Sequence, residues 1–434
     1  MYYDINLEKG LQDNNPYLEE EELFEILEAI KIDVLERSSC KNPNLGTNSL
    51  LMQRFVLTVL KINPKILQGV FKRLFDTNSI KYSLSAFDGP LGKLNARDRN
   101  RRQRRFDDKM RNGHRSKSDN VVVLAEGDSW FQFPRIVKLY DPITDIVDWL
   151  MKDRRYAVYS LAAGGDWFSN ILRAGEYVEE LPKVDPDVFL ISGGGNDLAG
   201  ARRIALMVRN PGENDSGLRN KDDGTIVKLM NRRQQSFENR KEDRSEEDPF
   251  TFDPDKYERG LRFLSDEFFK FINIYFVQYF VFLFGLAKNK RYENMLILTQ
   301  GYDFALPHDG SRAFPISLRR IVNVFAGTGN WLAKPLCMKG ITNKYDQEAI
   351  MYAMITEFNE MLIQLARSPL LPNVFHIDCR GVAEGPDDWY DEIHLKSRGY
   401  MCISKAIRDC IRDNRVSVGK MQKQKVYPAR LYKI

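Results

Sequence analysis

The chain has 434 residues, 43% of them hydrophobic, and a formal charge of +5. That length suits one large globular domain plus an appendage, and the charge is too small to imply nucleic acid as a partner by itself. Five cysteines (Cys40, Cys337, Cys379, Cys402 and Cys410), an odd number without CxxC pairs, argue against a disulfide scaffold or a zinc site. The opening residues MYYDINLEKG carry neither a basic nor an apolar leader, so the expected location is cytoplasmic.

Taken in order, the acidic run at residues 19–22 precedes Leu23, Leu27, Ile30 and Val34 at helical spacing. Residues 50–62 and 64–75 predict two more helices, the second opened by Pro64. Residues 1–94 therefore read as a helical N-terminal module, a candidate surface for a protein partner. Residues 95–119 are dense in arginine and read as a basic linker or an exposed helix. A lone aromatic, Phe106, falls within this charge and no recognised nucleic-acid fold accompanies it, so nucleic-acid binding is not expected there.

From residue 120 to about 412 strands and helices alternate. The strands are expected at 121–126, 157–161, 188–192, 295–300 and 374–378. The helices between and after them are expected at 143–150, 170–180, 347–367 and 396–411. This alternation predicts an α/β fold around a five-stranded parallel sheet. A polar insertion at about 202–259 reads as mobile, residues 306–342 as irregular, and residues 413–434 as a basic tail. Residues 268–287, FFKFINIYFVQYFVFLFGLA, are long enough to span a membrane. Lys270, Asn273 and Gln278 interrupt them, and they fall between two strands of one sheet, which favours a buried helix over a lipid-facing one.

The chemistry gathers at the strand ends. The run VVVLAEGDSWFQFP (residues 121–134) places Ser129 just past the first strand, where an open α/β sheet collects its ligands. Gly164-Gly165-Asp166 follows the second strand and Gly193-Gly194-Gly195-Asn196-Asp197 the third. After the fifth comes Asp388-Trp389-Tyr390-Asp391-Glu392-Ile393-His394. A nucleophilic serine needs a base, and the base needs a partner to hold its tautomer. Ser129, His394 and Asp391 meet that need, and the N–H groups of Ser129 and Gly165 with the Asn196 amide would form an oxyanion hole. Blander roles stand beside these. Ser129 and Asp197 could be helix caps, residues 193–195 a plain turn, and His376 a packed strand residue. Trp130, Phe131, Phe133 and Trp167 could line an acyl pocket or fill the core. Asp303, ending the fourth strand, could touch substrate or close a turn.

The four blocks, in this order, resemble those of the SGNH/GDSL hydrolase family: Gly127–Ser129, Gly165, Gly194–Asp197 and Asp391–His394. The resemblance spans residues 121–411, although aromatics follow GDS where many members have leucine. It implies a flavodoxin-like three-layer α/β/α sandwich that hydrolyses carboxylic esters without metal or organic cofactor. Ser129 would be the nucleophile, His394 the base and acid, and Asp391 its orienting carboxylate, with Asp388 and Glu392 as alternatives. The aromatics around Ser129 make a lipid or other acyl ester the first expected substrate, with a peripheral place at a membrane as a corollary. An O-acetyl carbohydrate esterase is the second reading. A partner-regulated interaction protein using the hydrolase fold as a platform is the third. The sequence leaves the oligomeric state open.

Overall fold

The computed structural model describes residues 89–133, 143–211, 223–239, 250–287, 289–308, 331–415 and 424–432. The helices expected within residues 1–75 lie outside these. In chain order the first elements are α1 (Gly89–Arg111), β1 (Val121–Glu126), α2 (Ile146–Lys152) and β2 (Tyr156–Ser160). They are followed by α3 (Phe168–Ala174), α4 (Glu176–Val184), β3 (Val188–Ser192) and α5 (Gly195–Ala199). The insertion supplies α6 (Asp223–Asn239) and α7 (Pro254–Leu261), and then come α8 (Asp266–Ala287) and β4 (Leu296–Gln300). The last are α9 (Ala333–Met338), α10 (Lys344–Ala366), β5 (Val374–Asp378), α11 (Ser397–Arg415) and β6 (Val426–Pro428).

The five expected strands are all present, and they join one parallel sheet in the order β2-β1-β3-β4-β5-β6. β1, β3, β4 and β5 are buried at every position. A parallel strand covered on both faces favours apolar residues at successive positions, which is why these segments read as near-continuous apolar runs, with polar residues mostly at their ends, and not as alternation. The chain runs outward in opposite directions from β1 and β3, to β2 on one side and β4 on the other. That reversal makes a crevice at the carboxyl ends of β1 and β3, the position at which doubly wound sheets bind ligands. The architecture is an α/β fold of the Rossmann or flavodoxin-like kind.

Four expectations need correction. The sheet has six strands, not five: the basic tail turns back, and His376–Asp378 of β5 pair with Val426–Pro428 of β6. Three residues ending in proline are too short to register as a strand in sequence, and proline is tolerated there because β6 is an edge. The segment read as a basic linker or an exposed helix is a helix, the long α1, but one face of it is buried, packed on β2. Its buried face is Asn95, Asp98, Arg102 and Phe106, so apolar periodicity finds only one residue of it. The insertion is partly built in: Ile226, Leu229 and Phe237 of α6 and Tyr257 and Leu261 of α7 are buried. Arg233 of α6 also pairs with Glu357 of α10 at 2.5 Å. The helix expected at 170–180 is two, α3 and α4, divided at Gly175 in a left-handed conformation.

The aromatic helix α8 is long and apolar enough to cross a membrane by length and composition, but 94% of its apolar window is buried. Phe282 contacts the rings of Phe168, Tyr177 and Phe189 (β3), which anchors α8 against the sheet. The reading as an interior helix holds. α10 is likewise buried on nearly all sides, and its first turn is closed by Asn343 accepting the Tyr345 N–H.

Candidate active site

The turn after β1 is built around buried Asp128. One carboxylate oxygen accepts the Trp130 N–H at 3.0 Å and the other the Tyr302 hydroxyl at 2.5 Å. Burial pushes the Asp128 carboxyl up and the Tyr302 phenol well above its ordinary range. Gly127 is required by crowding, because a Cβ there would sit 2.7 Å from the Ser192 carbonyl of β3. Ser129 sits on this turn, 8% exposed.

His394 reaches Ser129 from the loop after β5. Its Nε2 lies 2.8 Å from Ser129 Oγ, and its Nδ1 lies 2.7 Å from Asp391 Oδ2. Asp391 Oδ1 also accepts the backbone N–H of Ile393 and of His394, so the carboxylate that faces the imidazole shapes its own turn. The Trp130 indole donates to the Ile393 carbonyl at 3.1 Å, tying the serine turn to the histidine loop. Phe133 and Trp331 meet the imidazole edge-on at 5.0 and 5.9 Å.

The alternative carboxylates are occupied elsewhere. Glu392 accepts the N–H groups of His308, Trp331, Leu332 and Ala333, bracing the loop before α9. Burial raises its carboxyl while these four N–H groups pull it back. Asp388 accepts the Glu384 N–H at 2.8 Å.

Asn196 opens α5 and shares one narrow cleft with Ser129, together with Leu198, Met351, Ile355 and Ile393. It donates one amide hydrogen to the Asp166 carbonyl at 2.8 Å, and an amide nitrogen carries two. Gly165, with φ of 85°, follows β2 and does not line the cleft among the described residues. Among those residues no hydrogen bond uses the N–H of Ser129 or of Gly165. The Gly193–Gly195 run is more than a turn: side chains at 193 and 195 would strike the rings of Phe168 and Tyr302.

The weaker candidates have structural duties. Asp303 accepts the N–H groups of Phe304, Gly381 and Ala383, lacing the ends of β4 and β5 together. Trp130 borders the cleft but spends its N–H on Ile393. Trp167 is buried with the Arg203 guanidinium 5.1 Å from its ring centroid and does not line the cleft. Asp197 does act as a cap, of α3 and not of its own helix, accepting the Phe168 N–H at 2.8 Å. His376 is buried within β5, its Nδ1 3.0 Å from Thr299 Oγ1. Among the described residues no group of three or more His, Cys, Asp or Glu is arranged to hold a metal.

Sequence reasoning missed the Asp128–Tyr302 bond, the bracing role of Glu392, and Asn95 and Arg102 of α1. Arg102 donates to the Phe131 carbonyl at 2.6 Å, two residues beyond the serine. A larger cavity of about 540 Å³ is lined by His308, Lys344, Trp389, Tyr390 and Lys396, among others, and does not include Ser129. Compared with known protein families, with curated proteins and with solved structures, the chain gives no match.

Proposed function

We propose that the chain is a serine hydrolase of the SGNH/GDSL type that cleaves carboxylic esters through an acyl-enzyme on Ser129. The observation that carries this reading is the relay from Ser129 Oγ through His394 to Asp391, at 2.8 and 2.7 Å. Such a relay is recognised by its geometry and roles, not by its place in a chain. The strand order supports a flavodoxin-like three-layer sandwich as the frame, but the argument for activity stands on the site.

In this mechanism His394 Nε2 takes the Ser129 proton as Oγ attacks the acyl carbon. Asp391 holds the proton on Nδ1 and stabilises the imidazolium that forms. The developing oxyanion accepts from the Ser129 and Gly165 N–H groups and the second Asn196 amide hydrogen. His394 returns its proton to the departing alkoxide, the alcohol leaves, and a water activated by the same histidine releases the acid. The apolar side chains of Leu198, Met351, Ile355 and Ile393 suit the acyl portion of an ester. A lipid or another acyl ester is therefore the favoured substrate class.

The test is labelling of the full chain with a fluorophosphonate, followed by hydrolysis of p-nitrophenyl esters of graded acyl length. Labelling that disappears in both Ser129→Ala and His394→Ala supports the reading. Absence of labelling in folded wild-type protein refutes it. A rate that peaks at acetate and falls with chain length turns the substrate assignment toward O-acetyl groups.

A further inference from the structure

Helix α1 contributes to none of the four sequence blocks, yet its Asn95 is 2% exposed and wedged between the loops that carry Ser129 and Gly165. Asn95 Nδ2 donates to the Gly164 carbonyl at 2.9 Å, and Oδ1 accepts the Gly164 N–H at 3.1 Å. The side chain thus pairs with both peptide groups of one residue, much as a neighbouring strand would. Gln132, three residues past Ser129, donates to the Asn95 carbonyl and to Oδ1 at 3.1 and 3.2 Å. One asparagine therefore fixes the relative position of the two loops. That matters because Gly164 and Gly165 have no side chains to pack, and Gly165 adopts a positive φ of 85°.

We propose that Asn95 is a positioning residue for the oxyanion site. By clamping Gly164 it aims the adjoining Gly165 N–H at the oxygen of an acyl group held on Ser129. The inference rests on the serine-hydrolase reading. Asn95 forms no bond to substrate, so its contribution grows only as charge develops on that oxygen. Its loss should lower kcat and leave ground-state binding nearly untouched.

The experiment uses the full chain, wild type and with Asn95→Ala or Asn95→Asp, on p-nitrophenyl butyrate and on an alkyl trifluoromethyl ketone. The ketone adds Ser129 Oγ at its carbonyl carbon, passes the serine proton to His394 and leaves an oxyanion on the adduct. For Asn95→Ala we expect kcat to fall about 10- to 100-fold, KM to stay within about twofold, and ketone affinity to weaken in step with kcat. Asn95→Asp keeps an acceptor for the Gly164 N–H but donates to the Gly164 carbonyl only while protonated. Its kcat relative to wild type should decline as pH rises through that ionisation at assay temperatures where thermal melts show the variant fully folded, which separates this limb from a loosening of the fold by the buried charge. Asn95→Asp decides the matter should Asn95→Ala fail to fold. A folded wild type that neither labels with fluorophosphonate nor hydrolyses the ester overturns the Ser129 reading, and the role of Asn95 with it. An active wild type overturns the role of Asn95 alone if Asn95→Ala keeps its kcat or raises KM instead, or if Asn95→Asp follows the wild-type pH profile.

Discussion

His394 Nε2 lies 2.8 Å from Ser129 Oγ across a sequence separation of 265 residues. The parallel sheet closes that separation, since β1 and β5 deliver both residues to the same end of the fold. Removing either should abolish turnover with little change in stability. Ser129→Ala and His394→Ala are each expected to lower kcat on p-nitrophenyl esters by about 10⁴-fold or more. Steady-state rates beside thermal melts check this. A variant that melts like wild type and retains most of its rate would remove that residue from the mechanism.

Asp391 and Glu392 are adjacent acids with opposite expected phenotypes. Asp391→Asn leaves the turn nearly isosteric but deprives His394 of its ionic partner, so kcat should drop by about 10³- to 10⁴-fold while the melting temperature barely moves. Glu392→Gln instead turns an amide NH₂ toward backbone N–H groups that now share two carboxylate oxygens. Leaving such buried donors without an acceptor costs about 1–3 kcal/mol. Urea denaturation and ester kinetics on both variants would expose a misassignment, because a swap of roles exchanges the two phenotypes.

Much of this was legible in the sequence, for a specific reason. Strands buried on both faces announce themselves as apolar runs, and residues 121–126, 188–192 and 374–378 match β1, β3 and β5 end to end. Ser129 and His394 were legible because an open α/β sheet gathers its ligand-binding side chains just past the strand ends. What escaped notice is held by polar contacts. α1 buries Asn95, Asp98 and Arg102 within a run of exposed and half-buried arginines, and composition does not distinguish a paired arginine from a solvated one. Tyr302 sits in the Gly301-Tyr302-Asp303 stretch, but nothing local says that its hydroxyl meets Asp128. The choice among Asp388, Asp391 and Glu392 likewise needed coordinates, since all three lie within a few residues of the histidine.

Arg102 tests whether α1 is integral to the domain. Its guanidinium is 1% exposed, 2.5 Å from Asp145 and 3.3 Å from Asp148. Asp145 in turn caps α2 by accepting the Asp148 N–H, and also accepts the Phe133 N–H. Arg102→Met fills similar space but leaves the buried Asp145 without its cationic partner and Asp148 with Arg101, a loss expected to cost about 3–5 kcal/mol. Arg111→Met, at an exposed ion pair on the same helix, should cost under about 1 kcal/mol. Urea midpoints of the two variants decide the question, and equal midpoints would return α1 to the status of a surface appendage.

Asp166 gives the fold a pH dependence of predictable sign. Its carboxyl is buried beside Gly165, and burial pushes it up to about 7, with Arg99 opposing that rise and Asp197 adding to it. The unfolded chain releases the same proton near an ordinary carboxylate value of about 4. Between those values the folded state holds a proton that the unfolded state has lost, so this group's contribution falls as pH rises, by about 1.4 kcal/mol per unit. Both hydrogen bonds to the side chain, from the Trp167 N–H and the Asn170 amide, fall on Oδ1, which leaves Oδ2 to carry the proton. Asp166→Asn therefore preserves the acceptor and replaces the proton-bearing oxygen with an NH₂ that never ionises. The variant should melt close to wild type at pH 4 and above it at pH 8, the gap widening up to about pH 7 and levelling beyond it. Melting curves across that range provide the check, and parallel profiles for the two proteins would show that Asp166 is ionised in the folded state throughout.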